Sequence, residues 1–472
     1  QLQIAELGAP RLVVKIICAQ DLDALNSATL QLATRLLEMG NLDVQRLFLE
    51  EFTKSTVMLV SLRTQIERNL ALSQKQLKRN KKAGGVSLEA GMGVEDGFRH
   101  LLRLIQQLCE GHFLPMQNFL REQPGQDADI NIIKDMMSFF STIAQDKGRL
   151  VFIEPLTVEQ LLLTLTEATQ GPCVGNQNNL FAADLHEYCA NVINMNMSDY
   201  EKKGPQPQKA FLWREDQGLE ELEEEELEDN PAVAAEAIRT RRLDLLSCKR
   251  AAVTMVQALL EGVTNPKQAR AIRDGLDVQV MVRSLQDSMR SSKLETKSAA
   301  FDFFGQLLGR SGGGQAKTRF KERRAEEQLE REVMEMVFTM LRALDEVSPF
   351  LREEILNYEQ KAQQHLEKNI LQFYSNSAGS VEILRNNHVE KYVFRYDPAW
   401  KPSDFKDVID IEEIQREILM STRMSNPQGR LTELVRATVD MHFELQHMRS
   451  IDSWKRLGGT LQILRERGNT IS

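Results

Sequence analysis

Between residues 98 and 109, apolar side chains return at helical spacing. Placed at about 100° each, Phe98, Leu101, Leu102, Leu104, Ile105, Leu108 and Cys109 share one broad arc. Similar runs recur along the chain. Residues 11–18 (RLVVKIIC), 28–39 (ATLQLATRLLEM) and 43–53 (DVQRLFLEEFT) read as short consecutive helices separated by Asp, Asn and Gly. Stretches rich in Val, Ile and Thr are scarce, while Leu, Glu, Gln, Ala and Met abound, a balance that favours helix. The fold expected is mainly α: an armadillo-like α-solenoid in which each helix pair buries its apolar face against the next. No fixed period is visible, so the expectation rests on cadence alone.

Four stretches break the pattern. KQLKRNKKAGG (75–85) is basic and reads as a solvated helix end and linker. Residues 201–231 carry Pro, Gly and an acidic run from Glu220 to Asp229, the composition of a self-repelling mobile loop. GRSGGGQAK (309–317) has glycines and a lysine but neither the GK[ST] ending of a phosphate loop nor a preceding strand, and reads as a linker. The β signal lies at 375–400, where Val381–Leu384 and Lys391–Tyr396 flank Asn386 and Asn387, a hairpin expected in a small separate domain.

Composition narrows the classes. At 472 residues, 42% apolar and 27% charged, with a net charge of −9, the chain is globular and lacks the basic footprint of nucleic-acid binding. Five scattered cysteines (Cys18, Cys109, Cys173, Cys189, Cys248) show no CxxC spacing, so neither a disulfide framework nor a zinc site is indicated, and a reducing cytosolic setting is expected. No apolar run reaches the roughly 18 residues of a membrane span. The chain opens on Gln1, from which an internal fragment of a longer protein is expected.

No catalytic constellation is present: GxSxG, HExxH, the EF-hand loop and the dinucleotide fingerprint are all missing, so an enzyme is not expected. Cys109 and His112 make one CxxH pair without its other half, which reads as structural. LCEGHFLPMQNFLR (108–121) raises a different question, because Glu110 sits at a helix C-end, where the macrodipole disfavours a carboxylate. Gly111 is a natural left-handed cap, leaving the last carbonyls near that carboxylate. LLLTLTEATQGPC (161–173) repeats the arrangement with Glu167 ahead of Gly171 and Pro172. Two carboxylates at two helix ends could share one hard divalent cation if the helices pack together. Alternatively, both are solvated glutamates at frayed ends.

LCEGHFLPMQNFLR, then DINII, then LTEATQGPCVGNQNNL resembles the associated homology domain of the inositol trisphosphate and ryanodine receptors, the intracellular calcium-release channels. LQLATRLLEMGNLDVQ, within 12–54, is similar to the end of the preceding armadillo-like region, and VEILRNNHVEKYVF (381–394) to the strand pair ahead of the membrane domain. About half the chain is covered. The branch stays open: CEGH leans toward ryanodine receptors and QNFLR toward inositol trisphosphate receptors, while 431–450 faintly resembles the ryanodine receptor segment before the pore.

The resemblance implies a calcium-sensing site formed by Glu110 and Glu167, with His112 as an accessory residue and a third ligand from a C-terminal linker. It also implies calcium as regulatory ion, a homotetramer and a place on the cytosolic face of the endoplasmic reticulum membrane. A cation joining two rigid parts would shift the population toward the open channel. The domain division expected is an armadillo-like end (1–74), linker (75–96), associated homology domain (97–305, acidic insertion 201–231), linker (306–330), helical segment (331–375), and hairpin with juxtamembrane segment (376–472). The competing reading is a soluble α-solenoid scaffold for protein partners.

Overall fold

The computed structural model describes residues 1–18, 23–38, 40–54, 57–83, 96–124, 130–145, 155–195, 211–214, 218–221, 231–263, 265–289, 314–361, 370–374, 378–385 and 388–395. The chain divides into two compact units, Gln1–Asp397 and Pro398–Ser472, and the second lies outside the described residues. So do Asn386 and Asn387, most of the acidic run, the glycines at 309 and 312–313, and the stretch 431–450.

The described residues are mainly helical. Two short helices, α1 (Leu2–Glu6) and α2 (Ala9–Cys18), lead into helices that come in threes. The first three are α3 (Asp23–Leu37), α4 (Leu42–Thr53) and α5 (Val57–Ala83), and the second are α6 (Asp96–Cys109), α7 (Leu114–Arg121) and α8 (Ile132–Ala144). A third set is α9 (Pro155–Glu167), α10 (Val174–Ala182) and α11 (Leu185–Ile193). Next come α12 (Pro231–Leu260), α13 (Pro266–Gly275) and helical residues 278–289. Last are α14 (Gly314–Val347), α15 (Leu351–Lys361) and α16 (Ile370–Tyr374). The first helices of successive sets pack in order, α3 on α6, α6 on α9, α9 on α12 and α12 on α14, while α5, α8 and α11 pack in a second row.

The reason is visible in α6. All seven members of its apolar arc are buried, and Gln106 and Gln107 are buried beside them, because one side of the helix meets α3 and the other α9. Complete burial of a Leu or Ile contributes about 1.5–3 kcal/mol each, so Leu102, Leu104, Ile105 and Leu108 alone anchor the helix. Two polar contacts tie α6 to α9: buried Thr164 donates its hydroxyl to Leu102 O at 2.9 Å, and Gln160 Nε2 donates to Gln106 Oε1 at 2.8 Å. Arg63 Nε meets Asp135 Oδ2 at 2.8 Å across α5 and α8.

The turn after the first helix of each of the first four sets is the most regular element. Gly40, Gly111, Gly171 and Gly262 take φ values of 65°, 69°, 116° and 74°, the left-handed region that lets a helix close without a Cβ clash. After the first three of these turns, a glutamine of the second helix reaches forward to carbonyls at the end of the next set's first helix. Gln45 Nε2 donates to Gln107 O and Glu110 O, both at 2.9 Å. Gln117 Nε2 donates to Glu167 O (2.6 Å) and Gln170 O (2.9 Å), and Gln177 Nε2 to Ala258 O (2.9 Å) and Glu261 O (2.8 Å). Each glutamine caps the first helix of the following set, so the turns are linked in series. This Gly-to-Gln pairing, six residues apart at 111/117 and 171/177 and five apart at 40/45, recurs at unequal intervals along the chain.

Three expectations change. Basic residues 75–83 belong to α5, which continues to Ala83. Part of the linker expected at 306–330 is helix, since α14 begins at Gly314; beyond the glycines its Lys, Arg, Glu and Gln are good helix formers. Inside the segment read as a mobile acidic loop, β1 (Phe211–Arg214) pairs antiparallel with β2 (Gly218–Glu221), the aromatic FLWR run supplying strand character that outweighs Glu220 and Glu221.

The second hairpin forms where expected: β3 (Ala378–Arg385) pairs antiparallel with β4 (His388–Arg395), Arg385 opposite His388. It is not a separate domain. β4 lies on α14, where Arg395 bridges Glu332 at 3.0 Å and Glu335 at 3.2 Å.

Candidate cation site

Glu110 follows the last residue of α6 and Glu167 ends α9, two neighbouring first helices. Both are half-buried. The two turns touch through His112, which takes a left-handed φ of 62° and is exposed: a methyl group at Gly171 would stand 2.9 Å from His112 Cβ. The first turn meets the second in the same way, with a Gly40 methyl 3.2 Å from Glu110 Cγ.

The electrostatics join the two carboxylates. Burial, followed by the negative charge of Glu110, pushes the Glu167 carboxyl up to about 7, with Arg103 offsetting part of the rise. Fully buried Cys109 lies in the same field, its thiol raised by burial and then by Glu167, Cys173 and Glu110. Gln107 Nε2 donates to Glu110 Oε2 at 3.1 Å and holds that side chain. Cys109 and His112 do not converge, one being fully buried and the other exposed.

One part of the sequence reasoning needs correction. The helix-end carbonyls do not stand free beside the carboxylates, because Gln45 covers Glu110 O and Gln117 covers Glu167 O. What these turns offer a cation is the pair of side-chain carboxylates. Two half-buried carboxylates of like charge, one of them already holding its proton more tightly, suit a hard divalent ion that would relieve their repulsion. A cleft of about 770 Å³ passes close by, lined in part by His112, Gln170, Arg250, Glu261 and Arg395, but neither Glu110 nor Glu167 lines it.

Sequence reasoning missed Gln45, Gln107, Gln117 and Arg103, which orient or tune the pair. A glutamine five or six residues after a capping glycine was the available signal. Its acceptors lie as far as 84 residues away, at a distance no local pattern reports.

Paired carboxylates on adjoining helix ends, joined by capped turns in a helical chain, define a helical protein with a candidate divalent-cation site. Residues 95–193 match the family model described as RyR and IP3R Homology associated, a span that contains both glutamates. Over 87 residues the chain is 38% identical to the inositol 1,4,5-trisphosphate receptor itr-1 of Caenorhabditis elegans, a stretch covering 17% of this chain and 3% of that relative. These matches make residues 95–193 similar to the homology-associated segment of the inositol trisphosphate and ryanodine receptors, and the chain spans only a small part of the relative it matches. No described helix is long and apolar enough to cross a membrane.

Proposed function

We propose that this chain is cytosolic regulatory material of a tetrameric calcium-release channel of the endoplasmic reticulum membrane, its helix triplets forming an armadillo-like solenoid. Glu110 and Glu167 act as the carboxylate half of a calcium-sensing site, and the remaining ligands come from another segment of the full-length protein. The observation that carries the reading is the placing of two half-buried carboxylates on adjoining helix ends, where burial, followed by the negative charge of Glu110, lifts Glu167 to about 7. Calcium supplies the positive charge that offsets this repulsion. His112 serves as a spacer, leaning on Gly171 and keeping the two turns in register. Binding energy that depends on a third ligand from elsewhere couples the site to any motion of that segment, which is the requirement for a population shift.

The test is calcium-dependent opening of the full-length channel carrying Glu110→Gln and Glu167→Gln. The calcium concentration for half-activation is expected to rise at least about tenfold, the loss of one to two charged ligands, with response to the agonist retained. An unchanged calcium response would overturn the assignment of these residues.

A further inference from the structure

A second cluster lies away from the glutamate pair, at the corner between α10 and α11. Asp184 is the N-cap of α11 in a left-handed conformation (φ 56°), yet its side chain makes no capping hydrogen bond. His186 and Glu187 follow in the first turn. A ring nitrogen of His186 and carboxylate oxygens of Asp184 and Glu187 lie within 4.8 Å of one another, the only such group of three among the described residues.

His186 distinguishes this cluster from an ordinary acidic helix start. It is only 4% exposed, and its Nδ1 is buried without a hydrogen-bond partner. A buried, unpaired imidazole nitrogen costs free energy unless something ligates it. The ring is held in place on two sides. It stacks on Phe181 with centroids 5.4 Å apart and planes 20° apart, and its far edge abuts Gly275 at the end of α13. A methyl group at Gly275 would stand 2.6 Å from His186 Cδ2, 2.9 Å from Nε2 and 3.0 Å from Glu187 Cγ. Glycine there admits the ring.

We propose that Asp184, His186 and Glu187 bind a divalent transition metal of the zinc class. One neutral imidazole with two carboxylates is a nitrogen and oxygen donor set typical of zinc, whereas calcium takes oxygen ligands. Zinc bonds of about 2.0–2.2 Å require donors roughly 3–4 Å apart, a contraction that rotation of the two exposed carboxylates supplies. Water completes the shell on the exposed side. The buried ring, fixed between Phe181 and Gly275, makes metal binding report on the packing of α11 against α13.

The experiment is titration of the chelator-stripped full chain with Co²⁺, read by visible absorption, and with Zn²⁺ in competition with a fluorescent chelator. One equivalent is expected to bind. Asp184→Asn with Glu187→Gln, both exposed and nearly isosteric, should weaken zinc at least about tenfold, and Gly275→Ala should weaken it by displacing the ring. Glu110→Gln with Glu167→Gln should leave zinc unchanged, which separates this site from the calcium pair. Zinc binding of equal strength in the Asp184/Glu187 variant, or no saturable equivalent in the parent chain, would overturn the proposal.

Discussion

Replacing Glu110 by glutamine should change how the chain responds to pH, and the direction follows from Glu167. A carboxyl lifted to about 7 binds its proton more tightly in the folded chain than in the unfolded one. Between its ordinary value near 4.5 and about 7, the folded state therefore holds more protons. Stability from this group is present below 4.5 and is lost as pH rises through 7. Glu110→Gln removes the second cause of the rise and leaves the first, burial, so the Glu167 midpoint falls part of the way. The new amide oxygen still accepts from Gln107 Nε2, so the fold around it is kept. Thermal unfolding at pH 5.5, 7 and 8 without calcium should show the variant gaining on the parent as pH rises.

The same titration sets a calcium prediction for the parent. With a midpoint of about 7, Glu167 is roughly 90% ionised at pH 8 and about 10% at pH 6. If one proton must leave before the cation binds, affinity falls about tenfold from pH 8 to pH 6. Calorimetric titration of the full-length protein with calcium measures it. Equal calcium affinity at pH 6 and 8, or a variant whose stability offset is the same at every pH, would refute the reasoning.

Other outcomes follow from packing. Gln117→Leu leaves Glu167 O and Gln170 O without their shared donor and should cost about 1–3 kcal/mol in chemical denaturation; a loss below 0.5 kcal/mol would mean that water replaces it. Gly171→Ala forces a side chain into φ 116° and against His112 Cβ, so thermal stability should fall by about 1–3 kcal/mol and calcium affinity with it. Phe139→Ala, at a fully buried ring edge-on to Phe98 at 5.1 Å, should cost about 3–5 kcal/mol in chemical denaturation while leaving the Glu110 and Glu167 turns in place.

The helices of this chain were legible because burial on a helix leaves a local trace. The apolar arc of α6 is the buried face, and the hairpin at β3 and β4 follows from its two runs of residues. Boundaries shifted where one signal masked another: glycines at 309 and 312–314 hid the start of α14, and the acidic run hid β1 and β2. The two glutamates drew notice in the sequence because a carboxylate at a helix end is locally out of place. Their adjacency was not legible, since it arises from α6 packing on α9 and from His112 leaning on Gly171. The covered carbonyls were also hidden, as a glutamine's acceptor is chosen by tertiary structure. The candidate zinc cluster was passed over because the unpaired Nδ1 of His186 exists only once Phe181 and Gly275 enclose the ring.

The central claim is that Glu110 and Glu167 hold one calcium ion between them. An anomalous difference map from crystals of the calcium-bound protein tests it directly. The account predicts one peak within about 2.3–2.6 Å of an oxygen from each carboxylate, absent in the Glu110→Gln, Glu167→Gln double variant. A calcium-saturated structure with no peak between the two side chains, or with the two carboxylates turned apart into solvent, would contradict it.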